Sequence, residues 1–119
     1  MKVKELQIGD YVDYRGQIIK VTSLYDKGGS NEVGWSDKEC VWVNADNVEP
    51  IPLTPEILEK NGFIKESREF QRNTLQYCVL TDGLWIDISE VNYFEGKLEF
   101  VHQLQHALRL CGITHEIII

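Results

Sequence analysis

Residues 6–25 read LQIGDYVDYRGQIIKVTSLY, and this stretch decides the fold prediction for the first half of the chain. Two runs rich in β-branched and aromatic residues, 6–14 and 17–25, stand on either side of the turn-forming pair Arg15-Gly16. Such runs across a glycine turn are typical of a β-hairpin. The stretch therefore predicts two antiparallel strands near the start of the chain.

Further short strands are predicted after this hairpin. The polar segment 26–31 is a predicted loop, and residues 33–35 and 40–43 follow it as two more apolar runs. Four short strands with tight turns favour a small SH3-like, half-open β-barrel, which we expect to span residues 1–52.

A proline-rich joint follows the barrel segment. All three prolines of the chain lie in residues 48–55, and this segment is expected to leave the sheet because proline cannot donate to a β-ladder. Thr54 can cap a helix that has Pro55 at its first position. We expect this short helix to extend to Lys60 and to end at Asn61-Gly62, where glycine accepts a left-handed conformation.

The second half predicts an antiparallel meander sheet. Asp82-Gly83 suits a two-residue hairpin turn that would pair Thr81 with Leu84, and Glu95-Gly96 is the expected turn before the last strand. The expected strands are residues 63–65, 69–72, 75–80, 84–88 and 97–100.

An amphipathic helix and an apolar tail complete the predicted fold. Apolar side chains repeat at helical spacing at Val101, Leu104, Ala107, Leu108 and Cys111, and Gly112 is expected to end this helix. The tail, residues 113–119, ends in three isoleucines, so we expect it to pair as a terminal strand or to pack against a second copy of the chain. The chain is thus predicted to be α+β, with a barrel lobe over 1–52 and a helix, sheet and helix lobe over 53–119 in one cooperative unit.

The charge balance favours a protein partner. Lys and Arg total 12 against 19 Asp and Glu in 119 residues, which gives a net charge of −7. Residues 1–62 carry 7 basic and 11 acidic side chains and residues 63–119 carry 5 and 8, so neither half offers the basic surface that phosphate contacts need. A nucleic-acid partner is therefore not expected, and the even mixture of signs also disfavours an acidic mimic of nucleic acid.

The sequence also favours a cytoplasmic location without a membrane partner. No apolar run reaches the roughly 20 residues of a membrane helix. Residues 1–6 lack the apolar core of a signal peptide. The cysteines, Cys40, Cys78 and Cys111, are odd in number, widely spaced and set in apolar runs, which is typical of reduced core residues.

Four phrases of the chain resemble an uncharacterised family of small proteins from gut bacteria and their phages or mobile elements. They are LQIGDYV (6–12), VEPIPLT (48–54), NGF (61–63) and FVHQLQ (100–105), and their order and spacing span nearly the whole chain. The resemblance implies a bacterial or mobile-element setting. It implies no activity, cofactor or site residue.

No catalytic, cofactor or metal motif is recognisable. His102 and His106 have the spacing of a shared metal, but they fall opposite the apolar stripe of the predicted helix and no third ligand accompanies them. We therefore predict that both are solvated. The carboxylate pairs Asp82 with Asp87 and Glu95 with Glu99 are expected to be ordinary surface charges.

The candidate binding residues are the five aromatic residues of the barrel strands: Tyr11, Tyr14, Tyr25, Trp35 and Trp42. Small barrels bind peptides or bases through aromatic side chains at one rim, although a barrel of this size also needs large side chains inside. We predict a noncatalytic protein-binding or regulatory module without a cofactor, with self-association through the tail as one form of partner. Nucleic-acid binding through the barrel and an enzyme that uses His102 or His106 at an unfamiliar site remain open as alternatives.

Overall fold

The computed structural model describes residues 1–28, 30–35, 42–65, 75–89 and 92–119. It is a mixed α+β structure, as predicted, with mostly strands in open sheets and two α-helices among these residues. The chain divides into two compact units, Met1–Ile51 and Pro52–Ile119. The predicted strand over residues 69–72 lies outside the described residues.

Two open three-stranded sheets make up the described strands of the first unit. The strands are β1 (Tyr11–Tyr14), β2 (Gln17–Lys20), β3 (Ser23–Lys27), β4 (Ser30–Gly34), β5 (Trp42–Asn44) and β6 (Val48–Glu49). One sheet has the order β2-β1-β6 and the other β3-β4-β5, with every neighbouring pair antiparallel. Short 3₁₀ turns precede β1 and β6, at Val3–Glu5 and Ala45–Asn47.

Among the described residues no closed barrel is found, because the ladder hydrogen bonds form two separate sheets. The half-open, SH3-like barrel therefore stays a prediction. The chain leaves the sheet later than the sequence predicts. Val48 and Glu49 pair with Tyr14 and Asp13 of β1, and pairing stops at Pro50, the first residue of the joint that lacks a backbone donor.

The β1–β2 hairpin forms at the predicted Arg15-Gly16 turn. Both residues have positive φ, 51° at Arg15 and 84° at Gly16, which is typical of a type I′ turn whose twist matches the strands beside it. The Asp13 carboxylate accepts a hydrogen bond from the backbone N–H of Gly16 at 2.7 Å. The turn is thus stabilised by the strand residue that precedes it.

The chain passes from one sheet to the other between β2 and β3. The backbone N–H of Val21 donates to the carbonyl of Asp10 just before β1, and the backbone N–H of the next residue, Thr22, donates to the carbonyl of Gly34 on β4. A buried core lies under both sheets and consists of Val3, Leu6, Val12, Ile19, Val21, Val33, Ala45 and Val48.

A fully buried carboxylate closes the turn before β1. Asp10 accepts a hydrogen bond from the backbone N–H of Gln7 at 2.8 Å, while Gly9 has φ 94° and donates its own N–H to the carbonyl of Val21. A buried carboxylate needs such donors. The sequence predicts strand from residue 6 onward, whereas the chain turns at residues 8–9 and β1 begins only at Tyr11.

The described residues of the second unit form two α-helices and a four-stranded mixed sheet. Its elements are α1 (Pro55–Lys60), β7 (Ile64–Lys65), β8 (Leu75–Leu80), β9 (Gly83–Ile88), β10 (Phe94–Leu98) and α2 (Val101–Leu110). The sheet order is β10-β9-β8-β7, and β7 runs parallel to β8. The purely antiparallel meander predicted for this half is therefore wrong at β7.

The β8–β9 hairpin has a different register from the predicted one. Leu80 pairs with Gly83, so Thr81 and Asp82 form the turn. Moving a two-residue turn by one position shifts the register by two residues, which leaves the same side chains on the buried face. The alternation of apolar residues could not distinguish the two registers for this reason.

Glu95-Gly96 is strand rather than turn. Both residues belong to β10, and Gly96 lies opposite Ile86 of β9. A Cβ at Gly96 would come within 3.2 Å of the Phe94 ring. The glycine thus makes room for an aromatic ring two residues earlier on the same strand, which is a different use of glycine from the predicted one.

Both helices begin as their sequences indicate. The Thr54 hydroxyl accepts the N–H of Ile57 with Pro55 at the first position, and α1 ends where Gly62 adopts φ 87°. The Gln103 side chain accepts the N–H groups of Glu99 and Phe100 at the start of α2. The buried apolar residues of α2 and its end are the predicted ones, Val101, Leu104, Ala107, Leu108 and Cys111.

The C-terminal tail is docked without forming a strand. The Asn61 side chain holds Ile118 by two bonds to its backbone, accepting from its N–H at 2.7 Å and donating to its carbonyl at 2.8 Å. Asn61 also donates to the carbonyl of Ile57, and the His115 ring contacts the Asn61 oxygen at 3.0 Å. Ile117 is buried while Ile118 is exposed. The sequence predicted that the tail forms a terminal strand or packs against a second copy of the chain. The tail forms no strand. The two hydrogen bonds between the Asn61 side chain and the Ile118 backbone, here called the Asn61 clamp, hold it instead.

Candidate binding surface

The outer face of the β3-β4-β5 sheet presents a pair of large aromatic side chains. Tyr25 is 44% exposed and Trp42 is 41% exposed. Tyr25 lies opposite Glu32, and Gly34 lies opposite Trp42 on the other side of the central strand. Alternate residues of a strand share a face. This face therefore carries Tyr25, Glu32, Gly34, Trp42 and Asn44.

The two rings meet across Gly34. Tyr25 and Trp42 lie on the two outer strands, and their ring centroids are 6.4 Å apart with an interplanar angle of 77°. Gly34 on the central strand is buried and has no side chain to separate them. Edge-to-face contact at this distance is a favourable arrangement of aromatic rings. The pair is thus a defined corner with ring surface still open to solvent.

Tyr14 and Trp35 form a second aromatic pair with a different role. Their centroids are 5.1 Å apart, and both side chains are half-buried against the core of the first unit. The Arg15 guanidinium lies 5.3 Å from the centre of the Tyr14 ring, within cation–π range. These two aromatics contribute to packing, and the hairpin turn supplies the cation beside them.

Tyr11 stands apart from Tyr14. The two tyrosines are three residues apart on β1 and so point to opposite faces of their sheet. Tyr11 lies opposite Lys20, whose ammonium is 6.0 Å from the centre of its ring. The five aromatics predicted as binding residues therefore do not share one surface. Tyr25 and Trp42 are the pair that combines proximity with exposure.

The sequence-based reasoning missed a shallow recess on the sheet of the second unit. It is lined by Gln76, Tyr77, Cys78, Trp85, Asp87 and Glu95. Trp85 is 36% exposed, and its indole N–H donates to Glu95 at 3.1 Å. The signal that could have found this recess is the alternation of Gln76 with Cys78 and of Trp85 with Asp87 along β8 and β9. This alternation reveals the recess only when the β8–β9 register is known, because the register decides which residues of the two strands lie side by side.

Glu95 also accepts a hydrogen bond from the Tyr93 hydroxyl. This bond raises the pKa of Tyr93 to about 12, because it stabilises the neutral phenol beside a carboxylate. Tyr77 at the recess has its pKa raised in the same way by its hydrogen bond to Glu59 on α1. Neither phenol is therefore ready to lose a proton near neutral pH.

The carboxylate pairs considered from the sequence have other neighbours in the structure. Asp82 pairs with the Lys97 ammonium at 2.6 Å, and this contact lowers the pKa of Asp82. Asp87 lies directly opposite Glu95 in the β9–β10 ladder. The juxtaposed carboxylates are therefore Asp87 and Glu95, each taken from a different predicted pair.

The histidines of α2 are not both solvated, so this prediction is wrong for His102. His102 is buried, stacks on Phe100 with ring centres 5.9 Å apart, and meets His106 edge-on at 5.6 Å. Phe100 precedes the helix and covers the face that helical phase alone assigns to water. Among the described residues no group of three His, Cys, Asp or Glu side chains is arranged to hold a metal ion.

The described cysteines differ in burial. Cys111 is buried and free, and desolvation raises the pKa of its thiol. Cys78 is only half-buried, at the recess, so the prediction of a core residue is wrong for it. It lies opposite Trp85 on the outer face of its sheet. Cys40 lies outside the described residues.

The described surface thus carries exposed aromatic rings beside carboxylates. In the described part of the chain neither helix has the length and apolar content needed to cross a bilayer. Comparison of the chain with protein-family models, with curated proteins and with solved structures gave no match in any of the three.

Proposed function

We propose that this chain is a noncatalytic binding module that recognises a polypeptide through the Tyr25–Trp42 pair. The observation that carries the proposal is the exposure of two large aromatic side chains, 44% and 41%, fixed against each other on one sheet face. Tyrosine and tryptophan are the residues most enriched among the energetic hot spots of protein interfaces. A preformed aromatic pair also loses little conformational entropy when a partner binds.

We further propose that the first unit is an SH3-like small barrel. Three features support this architecture. The β1–β2 hairpin is followed by a change of sheet at Val21-Thr22. A 3₁₀ turn, Ala45–Asn47, separates β5 from β6. Finally, β6 returns to pair with β1 and so joins the end of the unit to its beginning. Small Greek-key and SH3-like barrels are built from such partly open sheets.

The charge of the chain supports a polypeptide over a nucleic acid as the partner. A net charge of −7 repels phosphates, and a nucleic-acid site would need a concentrated basic surface. The exposed face carries Glu32 beside the aromatic pair. We propose a bacterial cytoplasmic setting on the basis of the sequence resemblance.

The test is selection of peptide ligands from a random display library with the full chain as bait. Selected peptides are then measured by fluorescence anisotropy against the unmodified chain and against Tyr25→Ala and Trp42→Ala. We expect each substitution to weaken binding by about tenfold or more, as for other aromatic interface residues.

Trp85→Ala is the matched control, because it removes an aromatic of similar exposure from the second unit. Thermal melts establish that each variant is folded. The proposal fails if the library yields no ligand, or if Trp85→Ala abolishes binding while Trp42→Ala leaves it unchanged.

A further inference from the structure

The corner between Tyr25 and Trp42 has a definite chemical character. Its two ring planes are nearly perpendicular, so each ring can present a face to the same ligand atom. The face of an aromatic ring carries negative electrostatic potential. Two such faces around one position attract a cation more strongly than one face does.

A carboxylate stands beside this corner. Glu32 lies opposite Tyr25 in the β3–β4 ladder and two residues along β4 from Gly34, which lies opposite Trp42. The same face carries Lys27, which is two residues beyond Tyr25 on the side away from Trp42. Glu32 therefore lies one ladder position from Trp42 on one side and one ladder position from Lys27 on the other, and directly opposite Tyr25. The charge nearest the aromatic pair on this face is thus the Glu32 carboxylate.

The first unit already uses this chemistry within the chain. Arg15 covers the Tyr14 ring at 5.3 Å, and Lys20 covers the Tyr11 ring at 6.0 Å. Among the described residues, these two tyrosines have a cation–π contact and the Tyr25–Trp42 pair has none. The aromatic residues of the unit fall into three groups: Tyr11, Tyr14 with Trp35, and Tyr25 with Trp42. The Tyr25–Trp42 pair is the most exposed group, and no described cation of the chain covers it.

We infer that the Tyr25–Trp42 corner binds a positively charged side chain, lysine or arginine, of a polypeptide partner, with Glu32 as the opposing charge. The inference rests on the proposed function and specifies its ligand class. The guanidinium or ammonium group would contact the ring faces while the Glu32 carboxylate accepts hydrogen bonds from it. Charge complementarity with a chain of net charge −7 favours the same kind of partner.

The experiment uses the peptides selected by the full chain and asks what they share. We expect enriched peptides to contain a common lysine or arginine, and replacement of that residue by glutamine to weaken binding by about tenfold. Glu32→Gln should weaken binding of the basic peptide severalfold and reduce its salt dependence. Lys27→Gln should leave binding unchanged or strengthen it, because it removes a like charge from the same face.

Asp26→Asn is the matched control for Glu32→Gln. It also removes one negative charge, but Asp26 alternates with Tyr25 on β3 and so belongs to the opposite face of the sheet. We expect this variant to bind the basic peptide as the unmodified chain does. An equal loss in both variants would show a general charge effect and would overturn the inference.

The outcomes separate the inference from the proposed function. Peptides that bind through Trp42 but contain only neutral residues, such as proline-rich or purely apolar sequences, would overturn the inference and leave the proposed function standing. The same holds if basic peptides lose no affinity when their cation is replaced. A library that yields no ligand would overturn both.

Discussion

At the residue scale, Asn61 has a second structural role, in holding the C-terminal tail, that its position in the sequence does not indicate. The sequence predicts a helix end at Asn61-Gly62, and the structure has α1 ending there. The same asparagine is buried and uses both ends of its amide on the tail, 57 residues later in the chain. Helix-end patterns are local, so they could not reveal this second use.

Asn61→Ala is therefore expected to destabilise the chain by about 1–3 kcal/mol, because it removes the buried bond to the Ile57 carbonyl and both part-buried bonds to the Ile118 backbone. Urea melts measure this change in the free energy of unfolding. Asn61→Asp keeps an acceptor for the Ile118 N–H but places a buried carboxylate oxygen against the carbonyls of Ile57 and Ile118, so a loss at least as large is expected.

Digestion with a carboxypeptidase gives a second readout of the clamp. Release of the last residues should be faster in Asn61→Ala than in the unmodified chain, because the tail is no longer held at Ile118. Equal digestion rates would mean that the tail is held by something other than Asn61.

Tyr93 gives a prediction on pH. Its pKa is raised to about 12 by the hydrogen bond to Glu95, whereas an unfolded tyrosine titrates near 10. The folded state therefore keeps this proton more tightly, so the contribution of Tyr93 to stability is complete below pH 10 and is lost as the pH rises toward 12.

The Tyr93 titration can be followed by the NMR signal of its ring carbon bonded to oxygen. Glu95→Gln should bring the pKa of Tyr93 back toward 10, because it removes the carboxylate acceptor. Tyr25, which lies in the first unit, serves as the internal reference. If Tyr93 titrates alike with and without Glu95, the hydrogen bond does not exist in solution.

At the scale of elements, the helical repeat of α2 predicts its buried apolar residues but not the burial of its polar face. The apolar stripe of the helix was identified correctly because it depends on the helical repeat alone. The solvated face was misassigned at His102, because the Phe100 ring comes from outside the helix and covers it. Burial of a polar face depends on such neighbours, which a single helix does not encode.

Leu104→Ala is expected to reduce the free energy of unfolding by about 2–5 kcal/mol, since Leu104 is fully buried and truncation would leave a cavity. Leu110→Ala is the matched control on the same helix, because Leu110 is 78% exposed. That variant should change stability by no more than about 0.5 kcal/mol. Denaturant melts of both decide the point, and comparable losses would mean that the helix faces the core differently.

The strands of the second unit show the same limit of local sequence patterns, in the β8–β9 register and at Gly96. The sequence predicted strands at residues 75–80 and 84–88 but paired Thr81 with Leu84, whereas Leu80 pairs with Gly83. A shift of two residues keeps every side chain on the same face, so alternation is compatible with both registers. Gly96 was interpreted as a turn residue, whereas it makes room for Phe94. Glycine has several uses in a sheet, and composition alone does not distinguish them.

The candidate surface was predictable in composition but not in grouping. The five aromatics were recognisable from strand patterns, and the structure sorts them into Tyr14 with Trp35, Tyr25 with Trp42, and Tyr11 with Lys20. The Tyr25–Trp42 pair follows from cross-strand pairing between β3, β4 and β5, and the Tyr11–Lys20 pair follows from pairing of β1 with β2. Pairing partners are not local in sequence, so the Tyr25–Trp42 corner could not be identified before the fold was known.

At the scale of the whole molecule, the tail is part of the fold of the second unit. Deletion of residues 114–119 should destabilise the chain, because burial of the Ile117 side chain alone contributes about 1.5–3 kcal/mol and the Asn61 bonds are lost with it. Thermal and urea melts measure the loss. Sedimentation should stay unchanged, because Ile117 is buried within its own chain.

Two neighbouring isoleucines provide the control for this deletion. Ile117→Ala should be destabilising, while Ile118→Ala should be nearly neutral because that side chain is 57% exposed. If the deletion instead converts a dimer to a monomer, the tail contacts a second copy of the chain. That result would support the self-association considered from the sequence.

The Asn61 clamp has a consequence for how this protein can evolve. Asn61 binds Ile118 only through main-chain atoms, and the Ile118 side chain points to solvent. Mutations at position 118 are therefore expected to accumulate freely over generations, whereas positions 61 and 117 should stay under purifying selection. A lineage that loses the asparagine should also lose the apolar residue at 117, since an unclamped tail no longer keeps that residue in place.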